Sequence, residues 1–289
     1  MSKLVLGQTQ DYLVQVSVCS LNSFFTLNPF SINITAARRQ KVESVLNNSN
    51  GSEFILFPEY TYNEALQNLY QDYSNAKNCI IIGGSGLEKV GAKYYAYSPI
   101  FFPNREPINV YKKNITTTET VLSGGRIIGY PNEVQREFSI NVNEDTSYTF
   151  SVFVCYDFLI GPKSRTNIIF VPQNEPSPQQ FINEADRISK GHESFVLGSN
   201  NSNDNHRSLG FAILNSQLIT ALAERGWRQL TYSDGNGNLR EFHHTTFYDI
   251  QGERLLKFRI NIGRPYSLPF TFNFGDHQPV LIPLSDIAI

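Results

Sequence analysis

The sequence of 289 residues predicts an α/β layered fold, and three of its features indicate this. Short apolar runs rich in β-branched side chains alternate along the chain with stretches whose apolar residues recur at helical spacing. Such alternation is typical of a sheet covered by helices. Several runs are apolar throughout, as expected of strands buried between two layers. Three runs end in a reactive side chain, which is where open α/β sheets place their chemistry.

The first half of the chain divides into strands and helices at clear turn signals. The alternating run after Tyr12 is expected to be the first core strand, and Thr35 is placed to cap a helix. The predicted elements are a strand at 13–18, a loop at 20–33, a helix at 36–46, a strand at 53–58, a helix at 63–75, a strand at 79–85, and a hairpin-like pair at 94–102 and 108–111.

The second half continues the alternation to about Ala223 and becomes less regular from Trp227. The predicted elements are strands at 151–155, 168–172, 195–198 and 209–214, a helix at 179–190, and a turn at 234–237 between strand-like segments. The segment 259–289, rich in aromatic residues and prolines, can pack on its own chain or on a neighbouring one. One domain spanning 1–289 is the simplest account, since the sequence has no internal repeat and no low-complexity linker.

Composition narrows the class of protein. Charged residues make up 17% and hydrophobic residues 40% of the chain, as in globular proteins. A formal net charge of −2 gives no reason to expect nucleic acid or an anionic membrane as a partner. No stretch approaches the roughly 20 apolar residues that span a bilayer. Three widely spaced cysteines argue against a disulfide framework. We therefore expect a reduced, cytoplasmic setting, in which a thiol can remain nucleophilic.

The reactive strand ends supply the reagents of acyl transfer. One strand stops at Glu59, another at Lys112 and Lys113, and a third at Cys155. A cysteine hydrolase needs a thiolate, a base and a fixed positive charge for the tetrahedral intermediate. Glu59 can act as the base if burial raises its pKa toward neutrality. The backbone N–H of Tyr156, next to the cysteine, is the natural second oxyanion donor.

These residues occur in three ordered motifs. They are Phe57-Pro58-Glu59, Tyr111-Lys112-Lys113 and Val154-Cys155-Tyr156-Asp157. In sequence and order they resemble the Glu, Lys and Cys motifs of the nitrilase, or carbon–nitrogen hydrolase, superfamily. The resemblance covers roughly 12–225 and leaves 226–289 as a divergent C-terminal segment. It implies a four-layer αββα sandwich, a homodimer or larger homo-oligomer, and no cofactor or metal.

The resemblance also implies a set of site residues. Glu59, Lys113 and Cys155 would form the catalytic triad. Neighbouring side chains on a strand point to opposite faces, so only one of the two lysines can face the pocket. The motif match favours Lys113 and leaves Lys112 as an ordinary surface lysine. The family's second glutamate corresponds to Glu119, the only carboxylate close to the lysines. The implied activity is hydrolysis of a small-molecule amide or nitrile through a cysteine thioester, amidase activity being favoured.

Departures from the family pattern keep other functions open. The segment between Glu59 and Cys79 is much shorter than is usual, and Phe158 begins a sequence that replaces the usual Arg-Phe-Pro. These changes predict a more open pocket, or one completed by another chain, and they leave the substrate unspecified. One alternative is a catalytically silent family member that serves as a binding or assembly module. Another is an acyltransferase that uses the same triad with an amine as acceptor.

Other cysteines and the histidines offer weaker sites. Cys19 and Cys79 have no motif around them, and core packing is the better interpretation for both. The adjacent pair at 243 and 244, with His192 and His206, lacks the spacing of metal ligands. A papain-type pair would need a histidine oriented toward Cys155, and no sequence feature supplies one.

Overall fold

A computed structural model describes residues 2–3, 12–142, 146–161, 165–175, 179–192, 194–201, 208–209, 211–213, 229–233, 239–243, 249–250, 253–262 and 281–289. The predicted continuation to Ala223, the change of pattern at Trp227 and the turn at 234–237 lie outside these residues.

Most N-terminal elements fall where the sequence places them. The Thr35 hydroxyl caps the first helix by accepting from the Arg38 N–H. The elements are β1 (Ser2–Lys3), β2 (Leu13–Ser20), β3 (Phe25–Leu27), β4 (Phe30–Ile32), α1 (Ala36–Asn48), β5 (Phe54–Leu56), a 3₁₀ turn (Glu64–Leu66), α2 (Gln67–Lys77), β6 (Ile80–Ile82), β7 (Gly86–Val90), β8 (Lys93–Phe101), β9 (Ile108–Tyr111) and α3 (Thr117–Leu122).

The C-terminal elements complete two sheets. They are β10 (Glu137–Asn141), β11 (Thr146–Val152), α4 (Asp157–Ile160), β12 (Ile168–Pro172), α5 (Gln179–His192), β13 (Phe195–Ser199), β14 (Ser208–Leu209), β15 (Phe211–Ile213), β16 (Gln229–Ser233), β17 (Leu239–His243), β18 (Asp249–Ile250), β19 (Arg254–Asn261) and β20 (Leu281–Ala288). Strands β16 and β17 form a separate antiparallel pair.

The two large sheets each contain a parallel centre. The eight-stranded sheet has the order β20-β19-β2-β5-β6-β8-β7, with β9 paired to β8, and β2, β5 and β6 run parallel. The six-stranded sheet has the order β1-β11-β12-β13-β15, with β10 paired to β11, and β11, β12 and β13 run parallel. Because parallel strands end at one edge, the ends of β5, β11 and β12 can meet.

Side chains from the two sheets form a shared core. The Phe54 ring of β5 lies 5.2 Å from the Phe150 ring of β11 and 4.9 Å from the Phe170 ring of β12, measured between centroids. Val16 and Leu56 belong to the same buried cluster. The sheets therefore pack face to face and bury the apolar runs that the sequence contains.

Helices cover both outer faces. Val42 of α1 and Tyr70 of α2 pack with Phe57 and Ile81 against the eight-stranded sheet. On the other side, α5 contributes buried residues such as Ile188 to the cluster that contains the six-stranded sheet. The order helix, sheet, sheet, helix is the predicted four-layer αββα sandwich, and the prediction of this fold class is confirmed.

One region differs from the prediction made from the sequence, and a second region decides between two packing arrangements that the sequence left open. The expected loop at 20–33 contains the antiparallel hairpin β3–β4, which is fixed where Phe24 donates its N–H to the Tyr60 carbonyl. At the other end, β19 pairs with β2 and β20 pairs with β19, so the described part of the C-terminal segment joins its own chain's sheet. Within the described residues, no helix has the length and apolarity to cross a membrane.

Candidate active site

Cys155 occupies a sharp turn between β11 and α4. Beyond the end of β11, Phe153 and Cys155 still donate their N–H groups to β12, to the carbonyls of Phe170 and Pro172 at 3.0 and 2.9 Å. Cys155 then adopts a φ of +47°, a left-handed conformation that is rare for a residue with a side chain. Strained backbone of this kind is concentrated at functional sites. The residue is 4% exposed.

Glu59 lies in a second turn, at the end of β5. Its N–H donates to the carbonyl of Gln173, which follows β12 in the opposite sheet, at 3.1 Å. The next residue, Tyr60, has a φ of +59° and donates its N–H to the Ser85 hydroxyl at 2.9 Å. A Cβ on Gly84 would lie 2.3 Å from the Pro58 carbonyl oxygen, so only glycine fits there. The Glu59 carboxylate is thus held between the two sheets.

The lysine beside Glu59 is Lys112, not the predicted Lys113. The Lys112 ammonium lies 2.9 Å from Glu59 Oε1 and 2.5 Å from Glu119 Oε1, and its side chain is fully buried. The Lys113 side chain is partly exposed, and its backbone N–H donates to Asp157 at 2.9 Å. The expectation that Lys113 faces the pocket and Lys112 lies on the surface is therefore corrected.

Strand alternation explains the correction. Ile108 and Val110 are the apolar residues of β9, and Val110 is completely buried, whereas Asn109 between them is exposed. Side chains two apart share a face of a strand, so Lys112 continues the buried face. The sequence contained this signal, because the apolar residues of β9 have the same parity as Lys112.

Glu119 joins the cluster from the first turn of α3. The Thr116 hydroxyl accepts from the Glu119 N–H, and Glu119 Oε2 accepts from the Thr116 N–H, which forms a capping box. Its other oxygen, Oε1, accepts from Lys112 and from the Tyr60 hydroxyl at 2.6 Å. The structure therefore brings together the predicted Glu59, Glu119 and Cys155, with Lys112 between the two carboxylates.

The environment pushes the pKa values of the two carboxylates apart. Burial raises the pKa of Glu59, the Lys112 charge lowers it and the Glu119 charge raises it. The net result is a pKa of about 7. For Glu119, burial is outweighed by the Lys112 charge and by hydrogen bonds from Lys112, Tyr60 and Thr116, so its pKa is lowered. Paired groups with divergent pKa values identify acid–base roles. Glu59 exchanges a proton near neutral pH, and Glu119 keeps its charge.

The thiol and the amine respond to the same charges. Burial, with the nearby charge of Glu59, raises the pKa of Cys155 well above its ordinary value, so the resting group is a thiol. The Cys155 thiol lies close enough to the Glu59 carboxylate to act on it, and this contact lowers the pKa of Glu59. Burial alone would lower the pKa of Lys112, but the negative charge available on Cys155, Glu59 and Glu119 raises it well above the usual value. Lys112 remains an ammonium at neutral pH.

Asp157 connects the cysteine turn to the lysine segment. Its buried carboxylate accepts from the N–H groups of Lys113 and Asn114 at 2.9 and 2.8 Å. It also accepts from the Asn114 side chain and from Arg136, both at 2.7 Å. The sequence analysis gave Asp157 no role, although its place two residues after the cysteine marked it as part of the motif.

The backbone N–H of Tyr156 is available at the site. It donates to no acceptor within the part of the chain that the structure describes, and the residue is only partly buried. An N–H at the start of a short helix, next to the cysteine, is placed to receive a developing negative charge. In the same described residues, no group of three His, Cys, Asp or Glu side chains is arranged to hold a metal ion.

Structural comparison identifies the class of fold. The chain superimposes, with a match probability of 1.00, on solved structures of the carbon–nitrogen hydrolase, or nitrilase, superfamily. It therefore has the fold of that superfamily. The sequence itself matches no protein-family model and no curated protein.

Three solved structures represent this likeness. A CN-hydrolase superfamily protein from Xanthomonas campestris is 13% identical with a TM-score of 0.54, over 86% of this chain and 91% of that one. Nit3 of Saccharomyces cerevisiae, a branch 10 member of the nitrilase superfamily, is 14% identical with a TM-score of 0.55, over 95% and 99%. A mutant amidase from Nesterenkonia sp. AN1, with an acetamide moiety on its active-site cysteine, is 8% identical with a TM-score of 0.54, over 89% and 93%.

Proposed function

We propose that the protein hydrolyses a small-molecule carbon–nitrogen bond, as an amidase, through a thioester on Cys155. The observation that carries the proposal is the placement of the Lys112 ammonium between Glu59 and Glu119, with the Cys155 thiol near enough for all three charges to act on it. A base, a fixed cation and a nucleophile at one site are the parts that acyl transfer requires. The fold shared with amidase structures agrees with this chemistry.

The first half of the reaction forms the thioester. Cys155 Sγ attacks the amide carbon while Glu59 takes the thiol proton. The oxygen of the tetrahedral intermediate becomes negative and is stabilised by the Lys112 ammonium and the Tyr156 N–H. The intermediate collapses as Glu59 passes the proton to the leaving nitrogen. Ammonia or an amine departs, and Glu59 is again ionised.

The second half uses the same groups with water. Glu59 removes a proton from water, whose oxygen attacks the thioester carbon, and the oxyanion again lies against Lys112. Collapse breaks the carbon–sulfur bond, the carboxylic acid leaves, and Glu59 returns its proton to the sulfur. A base with a pKa of about 7 suits both directions of proton transfer at neutral pH.

Mass-spectrometric alkylation with ammonia release tests the proposal. Iodoacetamide at pH 7 should modify Cys155 in preference to Cys19 and Cys79, because the Cys155 thiol lies beside both Glu59 and the Lys112 ammonium. A panel of primary amides and nitriles should yield ammonia with the native protein. Cys155→Ala should abolish this release, and Cys79→Ala should retain it as the matched control. An unchanged rate in Cys155→Ala would remove the mechanism, and equal labelling of all three thiols would favour a catalytically silent protein.

The acyl acceptor is tested separately, because an amine acyltransferase would use the same triad. Excess hydroxylamine should trap the thioester as a hydroxamate. If water is the natural acceptor, product acid forms at full rate without any added amine. Strict dependence of turnover on an amine would assign acyl transfer instead. The homo-oligomeric state and the cytoplasmic setting expected from the sequence remain predictions, which light scattering and cell fractionation can check.

A further inference from the structure

A cavity lies outside the cluster formed by Glu59, Lys112, Glu119 and Cys155. It has a volume of about 590 Å³ and is bounded by the β3–β4 hairpin, the 3₁₀ turn and strands β7 and β8. Cavities of roughly 300–1,000 Å³ are the size that small-molecule ligands occupy. Its walls carry four aromatic rings and two carboxylates, from Phe30, Tyr62, Tyr94, Tyr97, Glu64 and Glu88. We call this space the aromatic cavity.

Two tyrosines that line the aromatic cavity have hydroxyl groups without a partner among the described residues. Tyr62 is 2% and Tyr97 6% exposed. Within the described residues neither hydroxyl makes a hydrogen bond. Each hydroxyl is therefore open to the cavity and is a candidate contact for a ligand. These hydroxyls can both accept and donate hydrogen bonds.

The two carboxylates on the cavity lining favour a positively charged ligand. Burial, together with the charge of Glu64, raises the pKa of Tyr62 to about 12. The Tyr62 phenol is therefore neutral near pH 7. Charges on Glu64 and Glu88 both act on Tyr97. Glu88 is oriented by the Tyr111 hydroxyl, which donates to it at 2.6 Å. The two carboxylates therefore direct negative potential at the same buried phenol, which an anion would avoid and a cation would prefer.

The aromatic walls already show affinity for a cation. The guanidinium carbon of Arg126 lies 3.8 Å from the centroid of the Phe30 ring, a cation–π contact. Phe30 in turn packs against Tyr94, with centroids 4.9 Å apart. Arg126 is not part of the lining; the cation that does line the cavity, Lys89, is exposed and forms no ion pair with either glutamate among the described residues.

The geometry points to the aromatic cavity as a binding site for a small organic cation with N–H donors, such as a protonated primary amine. The ammonium would donate to the Tyr62 and Tyr97 oxygens and pair with Glu64 and Glu88, and its alkyl part would lie against the rings. Because the cavity excludes Cys155 and its partners, this inference does not depend on the proposed hydrolase activity.

Ligand-observed NMR titration of the whole protein tests the inference with three probes. Butylammonium should bind more tightly than 1-butanol, which has the same alkyl chain without charge, and than tetramethylammonium, which has charge without N–H donors. Glu64→Gln and Glu88→Gln should each weaken butylammonium binding about threefold, as expected for exposed charge pairs. Glu137→Gln removes the same charge from an exposed position outside the cavity and should leave binding unchanged.

Phenol-to-phenyl changes test the hydrogen bonds. Tyr97→Phe should weaken butylammonium binding and leave tetramethylammonium unaffected, since the ring is preserved. Lys89→Met should tighten binding by removing a competing charge. Butylammonium that binds no better than 1-butanol would overturn the inference. So would tetramethylammonium binding as tightly as butylammonium, or Glu64→Gln and Glu88→Gln behaving like Glu137→Gln.

Discussion

Replacing each lysine of the adjacent pair by methionine separates the two possible roles. Lys112→Met removes a fully buried ammonium and leaves the nearly buried carboxylates of Glu59 and Glu119 without their shared cation. Lys113→Met keeps the backbone N–H that binds Asp157 and removes only a partly exposed charge. The proposed mechanism predicts that Lys112→Met abolishes turnover and that Lys113→Met retains most of it.

The expected loss of stability depends on pH. Removing one partner of a buried ion pair costs about 3–5 kcal/mol if the remaining charge stays ionised. Glu59 can limit this cost by keeping a proton, which leaves no unpaired charge. Its pKa in the native protein is already about 7 because of burial, although Lys112 lowers it. Without Lys112 the pKa of Glu59 should rise further. The variant should therefore be least impaired in mild acid.

The sign follows from proton linkage. In the unfolded chain Glu59 is ionised above pH 5, whereas the folded native protein retains its proton up to about pH 7. The folded state binds more protons, so this group lowers the free energy of unfolding as pH rises toward 7. In Lys112→Met the proton is retained above pH 7. Stability should then fall by up to about 1.4 kcal/mol for each further pH unit.

Urea unfolding at pH 6, 7.5 and 8.5 measures this difference. The free energy of unfolding of Lys112→Met should fall between pH 7.5 and 8.5 more steeply than that of Lys113→Met. Cys155 stays a thiol in the folded state of both variants, and its titration in the unfolded chain cancels in the comparison. Equal pH dependence of the two variants, or loss of turnover in Lys113→Met alone, would refute the assignment of Lys112 to the site.

Three further predictions concern the turns and the thiol. The rate of Cys155 alkylation should rise with pH around 7 as Glu59 ionises, and Glu59→Gln should move this rise to more alkaline pH; a peptide-resolved profile that is the same in both proteins would contradict Glu59 as the base. Asp157→Ala should lower the free energy of unfolding by about 3–5 kcal/mol, because Arg136 and two backbone N–H groups lose a buried hydrogen-bond acceptor. Asp72 is exposed, so Asp72→Ala should have little effect in the same urea unfolding experiment. Gly84→Ala should lower the free energy of unfolding by about 3 kcal/mol, since its Cβ would lie 2.3 Å from the Pro58 carbonyl oxygen. Gly91 has a similar positive φ but lies in open space, so Gly91→Ala should cost only about 1 kcal/mol. Equal losses would show that the close contact is unimportant.

Much of the sandwich was predictable because its strands carry their signal locally. The run Ile80–Ile82 is apolar on every residue and is completely or nearly completely buried, as a strand between two layers must be. The Thr35 cap likewise marked the start of α1. The hairpin at Phe25–Leu27 and Phe30–Ile32 was missed, because its short strands gain their stability from contacts with the Glu59 turn and lack a long alternating pattern.

The cluster around Lys112 was predictable in its residue types and not in its register. Motif order pointed to a glutamate, a lysine and a cysteine, but two adjacent lysines differ only in which face of β9 they occupy. The face is set by side chains of the same strand, where Val110 is buried and Asn109 is exposed. A motif that counts from Tyr111 ignores this alternation, and it therefore selected the wrong neighbour.

The arrangement around Lys112 explains why the site needs two carboxylates. A single glutamate paired with a buried ammonium would be held ionised and would be a weak base. Glu119, fixed by its capping box and by the Tyr60 hydroxyl, accepts a hydrogen bond from Lys112 and has a lowered pKa. Its negative charge in turn raises the pKa of Glu59. In the proposed mechanism, Glu119 would thereby keep Lys112 charged for the oxyanion while Glu59 would remain basic enough to accept the thiol proton. Glu119→Gln should accordingly lower the pKa seen in the alkylation profile of Cys155, because the neutral amide no longer repels the charge on Glu59. A profile shifted to higher pH would refute this division of roles.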